Sequence, residues 1–218
     1  PSEPAGAPDK NENDTGYRVC SRDSACPIWP FADAAPSAWY HDGVHYCVEG
    51  GLMQGVSPAM FLPDGSTTRA QLVTILWRLE GCPEADGAAV FSDVPDSAWY
   101  AKAVRWAAER GIVKGYENGC FGADDAVTRE QLTTILYRYA QYKGYDVSAF
   151  EGADILRFAD AQAVSEYAVR AMQWACGAEL MTGIAQDGGM FLAPKATTTR
   201  AQLATLMMRF QRAFAEGA

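Results

Sequence analysis

Leu72, Ile75, Leu76 and Leu79 fall at i, i+3, i+4 and i+7, the spacing that lays an apolar stripe along one face of an α-helix. The stripe is written twice more, as Leu132, Ile135, Leu136 and Tyr139 and as Leu203, Leu206, Met207 and Phe210. Ahead of each lies a shorter amphipathic stretch. In the middle one, Tyr100, Ala103, Val104, Ala107 and Ala108 recur at spacings of three and four, Asp96 or Ser97 is placed to cap the start, and Gly111 is placed to end it. Between the two stretches runs a glycine-rich segment, Gly115 to Phe121, matched by Gly55 to Phe61 and by Gly183 to Phe191, whose glycines suit tight turns. The pattern predicts a mainly α protein built as helix, loop and helix three times over. Its three equivalent stripes invite a three-helix core.

Subtraction supports the repetition. Phe31 and Phe91, Trp39 and Trp99, Gly51 and Gly111, and Arg69 and Arg129 are each 60 residues apart, so the first two units align without a gap. The third is looser, with 67 residues from Phe91 to Phe158 and 71 from Arg129 to Arg200, the mark of insertions in its loops. A fixed period of this length restricts the architecture. The units are taken as residues 29–83, 84–145 and 146–218, each too small for a sizeable core and expected to pack into one compact body. Residues 1–28 form a lead-in containing two cysteines. Its first 19 positions, rich in Pro, Ser, Glu, Asp and Asn, read as a flexible linker to an upstream domain of the same protein.

With 18 Lys and Arg against 27 Asp and Glu, the net charge is −9, which argues against nucleic acid and anionic membrane as partners. No apolar run is long enough for a membrane span, so no membrane insertion is expected. The cysteines do not follow the repeat, since Cys47 aligns with Ala107 and Cys120 with Met60 and Met190. For Cys20 and Cys26, five residues apart in a turn-rich segment, a local disulfide fits better than zinc, because this is not a usual ligand spacing and no second cysteine pair follows. His41 and His45 stand at i, i+4, a spacing open to a metal, but in one unit only and without the Glu of a metalloprotease helix. They are expected as packed or solvated side chains, so neither metal nor cofactor is anticipated. No nucleophile elbow, P-loop or dinucleotide fingerprint occurs, and no catalytic residue or enzymatic activity is expected in this segment.

Each long stripe opens on the same phrase: Thr68-Arg69-Ala70-Gln71, Thr128-Arg129-Glu130-Gln131 and Thr199-Arg200-Ala201-Gln202. Thr with Gln three positions later makes a capping box. The arginine is not explained by capping, because a cation in the first turn opposes the helix dipole at a cost of about 0.3–1 kcal/mol. A bound anion would answer it, met by backbone N–H donors and the guanidinium fork. So would a pair with Asp33, Asp93 or Asp160 of the recurring Phe-x-Asp phrase, although those aspartates also suit Asx turns or caps. Trp39 and Trp99, each followed by a tyrosine, offer faces for stacking on a sugar ring or bulk for the core, while Trp106 and Trp174 are assigned to the core. Gly55, Gly115 and Gly183 would admit a ligand close to the backbone or simply make turns. Arg78, Arg138 and Arg209, near the far ends of the long helices, complement the dipole and are read as structural.

Taken in order, Phe91-Ser92-Asp93-Val94, Trp99-Tyr100, Ala103-Val104, Gly111-Ile112, Gly115, Phe121 and Thr128-Arg129 closely resemble the S-layer homology (SLH) domain, over about residues 29–212 in three copies. The resemblance implies a mostly helical, pseudo-threefold body around three central helices. It also implies an extracellular place on a bacterial cell surface, held noncovalently to an anionic cell-wall glycan, a secondary wall polysaccharide often carrying pyruvylated sugars. In that family the arginine of a Thr-Arg-Ala-Glu motif meets the sugar in grooves between neighbouring repeats, which maps here to Arg69, Arg129 and Arg200. This chain departs from the pattern at Gln71, Gln131 and Gln202, which replace the carboxylate, and at Tyr167-Ala168, which replaces the Trp-Tyr pair in the third copy. The lost carboxylate motivates an alternative reading, a protein-interaction or surface-lattice assembly module.

Overall fold

Thr68 and Gln71 close both halves of the predicted capping box, as do Thr128 with Gln131 and Thr199 with Gln202. From these starts run the three long helices α2 (Arg69–Leu79), α4 (Arg129–Tyr142) and α6 (Arg200–Phe214). The shorter helices α1 (His41–Glu49), α3 (Ala101–Glu109) and α5 (Val169–Gly177) precede them. The structure, a computed structural model, describes residues 20–85, 87, 90–150, 152–186 and 188–214, so the linker expected over residues 1–19 lies outside it. A two-stranded antiparallel hairpin, β1 (Ile184–Gln186) and β2 (Gly189–Phe191), pairs Ile184 with Phe191 and occupies the third glycine-rich segment. Short 3₁₀ turns lie at Ser148–Phe150, Ala161–Ala163 and Glu166–Ala168, the first of them in the stretch before Phe158 where most of the third unit's insertion falls.

The short helices begin differently from the expectation. Tyr100, not Asp96 or Ser97, is the N-cap of α3 and makes no side-chain cap bond. The preceding residues turn tightly instead, with Ala98 N–H donating to Pro95 O and Ala101 N–H to Ala98 O. Asp96 is left free to pair with Arg105 at 2.7 Å. Gly111 does end the helix, at φ +67°, a left-handed value that only glycine adopts without cost.

The closest helix pairs cross unit boundaries: α3 packs on α2, α5 on α4, and α1 on α6. Each unit therefore buries its short helix against the long helix of the unit before it, with the third unit serving the first. Trp106 of α3 and Trp174 of α5 are fully buried, as core residues. Side chains of α4 also reach α6 and the end of α2. Tyr139 of α4 lies 5.6 Å from Phe210 of α6 and donates to Glu80 at the end of α2. Just ahead of the three capping boxes the backbone closes a ring, in which Thr67 N–H donates to Thr198 O, Thr198 N–H to Val127 O and Val127 N–H to Thr67 O, each at 2.9 Å. This ring puts the three Thr-Arg-x-Gln phrases side by side.

Candidate functional site: grooves between the repeats

The three recurring arginines point out of their own units. Arg69 donates through Nε to Phe121 O at 2.9 Å and through Nη2 to Lys114 O at 3.2 Å, both in the second unit. Arg200, in the third, donates to Phe61 O at 2.8 Å and to Gln54 O at 2.6 Å in the first. Arg129 donates through Nε to Leu192 O at 2.7 Å in the third unit, but its Nη2 meets the Met181 thioether, a weak acceptor, where the other two find a carbonyl. All three side chains are buried, and the Phe61 and Phe121 rings lie 4.5 and 4.9 Å from the guanidinium carbons of Arg200 and Arg69.

The aspartates grip the same peptides from the other side. Asp93 accepts Phe121 N–H at 2.6 Å and Gly122 N–H at 2.7 Å; Asp33 accepts Phe61 and Leu62, and Asp160 accepts Leu192 and Ala193, all within 2.8 Å. Each aspartate thus spends both oxygens on backbone donors about 30 residues downstream rather than on a local Asx turn or cap. The second donor N–H in each case belongs to a residue in the left-handed region, Leu62, Gly122 or Ala193, which the carboxylate holds in place. Burial works to raise the Asp93 carboxyl, but the two N–H groups and the nearby Arg69 hold it below the ordinary carboxylate value.

The helix N-termini themselves are not open anion sites. Arg69 N–H donates to Asp125 O and Ala70 N–H to Ala123 O; Arg129 and Glu130 donate to Ala196 O and Pro194 O; Arg200 and Ala201 donate to Gly65 O and Pro63 O. With the threonine cap taking the next donor, the first-turn N–H groups are spent within the protein.

What remains open lies along the helix beyond. Three grooves of about 150, 390 and 220 Å³ each draw on all three units. The first has Arg200 at its floor, Gln71, Thr74 and Arg78 of α2 along its wall and Trp99 at its rim. The second has Arg69, then Gln131, Thr134 and Arg138 of α4, then Tyr167. The third has Arg129, then Gln202, Thr205 and Arg209 of α6, then Trp39. Trp39 and Trp99 are 67% and 63% exposed, which removes the core reading for both, and each stands edge-on to its following tyrosine. Tyr167 takes the equivalent place in the second groove. Its hydroxyl donates to the buried Glu130, which also accepts Lys195 and Ser165, so a different anchor supports the rim where the Trp-Tyr pair is missing.

Arg78, Arg138 and Arg209 are the groove residues that sequence reasoning passed over as dipole partners. Arg78 does hold a carbonyl, Leu52 O at 3.0 Å, yet it also lines the groove, as do Arg138 and Arg209. The signal was available, because all three recur at one place in the repeat. Burial pushes the guanidinium groups of Arg129, Arg138 and Arg200 down from the ordinary arginine value; Arg138 is held up by Tyr167 and pushed further down by Arg69. An anion in the groove would relieve that penalty. The glycines are placed by packing. A Cβ on Gly55, Gly115 or Gly183 would lie 2.5–2.6 Å from the ring of Phe31, Phe91 or Phe158, the phenylalanine of each Phe-x-Asp phrase. Gly115 and Gly183 also line grooves.

Cysteine and histidine behave differently from their separate readings. Cys20 and Cys26 are free thiols, not a disulfide, and both lie beside His41 and His45. Cys47 and Cys176 are buried, and burial pushes their thiols up to about 12 and about 11.

Comparison with known proteins agrees with the threefold repeat. Residues 30–73, 90–133 and 157–204 match the protein family described as the S-layer homology domain. The chain is 30% identical over 187 residues to an endoglucanase of Bacillus sp. (strain KSM-635), covering 86% of this chain and 19% of that protein. It is 30% identical over 192 residues to a surface-layer 125 kDa protein of Lysinibacillus sphaericus, covering 85% of this chain and 16% of that one. A cellulosome-anchoring protein of Acetivibrio thermocellus is 29% identical over 97 residues, 43% of this chain and 22% of that one. The chain thus spans less than a quarter of the length of these relatives. Among the described residues no helix is long and apolar enough to cross a membrane. With three tandem matches that include Arg69, Arg129 and Arg200, the chain belongs to the S-layer homology domain family, and its place is the cell surface.

Proposed function

We propose that the chain is a noncovalent cell-wall anchoring module. It binds an anionic, pyruvylated secondary wall polysaccharide in the three grooves, which the repeats form in pseudo-threefold array around α2, α4 and α6. One observation carries the reading. In a chain of net charge −9, every groove is lined by two arginines and an exposed aromatic ring, and Glu117 is the one acid among the groove-lining residues. The outer arginine supplies a planar fork for a sugar carboxylate, and the ring supplies an apolar face for the pyranose. The buried arginine sets the charge of the floor. Three weak sites on one body gain by avidity along a repeating polymer. The names of the surface-layer and cellulosome-anchoring relatives support anchoring, and the endoglucanase supports a non-catalytic segment attached to catalytic ones. The test is sedimentation of the chain with purified wall sacculi, which binding should survive until the secondary polymer is stripped. Undiminished binding to stripped peptidoglycan would remove the polymer from the account.

A second reading, docking of a protein partner or a surface lattice, has one observation in its favour. Arg69 and Arg200 already satisfy internal carbonyls, so their recurrence does not by itself require a ligand. A chain that ignores sacculi but assembles or captures surface protein would select it.

A further inference from the structure

Cys20, Cys26, His41 and His45 are dispersed in the sequence as two unrelated pairs, and the fold gathers them. Their four ligand atoms all lie within 4.8 Å of one another. His41 Nε2 is 3.2 Å from Cys20 Sγ and 3.8 Å from Cys26 Sγ, and His45 Nδ1 is 3.4 Å from Cys26 Sγ. A tetrahedron with Zn–S near 2.3 Å and Zn–N near 2.0–2.1 Å has edges of about 3.3–3.8 Å. The three separations fall on or next to that range.

We propose that these four side chains form a structural zinc site that clasps the lead-in segment to α1. Three of the ligands are almost fully enclosed, with His41 1%, His45 4% and Cys26 4% exposed, while Cys20 closes the outer corner. Two thiolates and two neutral imidazoles exactly offset the charge of one Zn²⁺, so the loaded site buries no net charge. Binding releases the two thiol protons to solvent. The surroundings are those of a metal site. His45 turns Nδ1 inward and directs Nε2 to Glu49 Oε2 at 3.2 Å, the carboxylate partner that fixes a ligating imidazole. Arg22, at φ +57°, aims its N–H at Cys20 Sγ at 3.2 Å, a donor suited to a thiolate. With four protein ligands the site is closed, which assigns it to structure rather than catalysis. Because neither the cysteines nor the histidines recur in the other units, the clasp belongs to the first repeat alone.

The test uses the full chain, purified reduced and without chelator, and measures zinc by elemental analysis and Co²⁺ by its visible spectrum. The expected result is one zinc per chain and, after exchange, the intense d–d and thiolate charge-transfer bands of tetrahedral cobalt. Glu49→Gln should weaken binding about tenfold, and Cys20→Ser or His45→Gln by more. Cys82→Ser, exposed and outside the cluster, should change nothing. Chelator should lower the melting temperature of the wild type but not of Cys20→Ser, which keeps the reading testable even where a ligand variant folds less well. The proposal is overturned if the reduced wild type takes up no zinc from micromolar solution, if Cys20→Ser binds it equally, or if the chain from cells carries a Cys20–Cys26 disulfide.

Discussion

The floor and the wall of each groove both carry an arginine, and in the second groove the two do opposite things with their charge, whereas in the first the wall's Arg78 also holds a carbonyl, Leu52 O. Arg69 and Arg200 are buried and give donors to carbonyls of the neighbouring unit, so they join repeats. Arg209 is exposed and Arg138 is half-buried on the wall, where both line the cavity. The difference teaches that recurrence of a residue in a repeat protein marks shared geometry, which is not the same as shared ligand contact. Arg129 is the intermediate case, with one donor on a carbonyl and one on a sulfur.

The largest effect should come from breaking the floor. Arg69→Ala leaves Phe121 O and Lys114 O without their charged donor, and hydrogen bonds from charged groups contribute about 1.5–3 kcal/mol. A loss of about 3 kcal/mol, or roughly 9 °C in melting temperature, is expected by thermal unfolding. Glycan binding should fall with it, so a floor variant does not separate stability from recognition. The wall variants do. Arg138→Ala and Arg209→Ala together should weaken polymer binding about tenfold or more while moving the melting temperature by only a few degrees. Equal losses of stability in floor and wall variants would erase the distinction.

A smaller effect sharpens the floor's other half. Because the folded Asp93 carboxyl lies below its ordinary value of 3.8, its contribution to stability is fully present above that value and is lost as pH falls through the folded one. Acid unfolding followed by circular dichroism should therefore begin at higher pH in Arg69→Ala than in the wild type, since Arg69 is one of the groups holding the carboxyl down.

Much of the helical plan was legible because each part of it is local. The i, i+3, i+4, i+7 stripes, the Thr-x-x-Gln boxes and Gly111 all act within a few residues, and the structure shows them as read. Contacts that cross units were not legible in that way. Nothing near Asp33 in sequence says that it accepts Phe61 and Leu62, nor near Arg200 that it reaches Gln54. The aspartates consequently looked like turn residues and the arginines like unanswered cations. Trp39 and Trp99 were ambiguous because bulk alone does not distinguish a rim from a core; the cross-unit groove decides it. The Cys–His cluster was hidden for the opposite reason, since it does not repeat and its two pairs are joined only by the path of the lead-in over α1.

The central claim is that the grooves recognise the negative charge of a wall sugar. It is tested most directly by calorimetric titration of the intact chain with purified secondary polymer, before and after mild acid has removed the pyruvyl groups. The account predicts saturable binding that disappears with the carboxylates and weakens as salt is raised. Binding of equal strength to the neutralised polymer would contradict it.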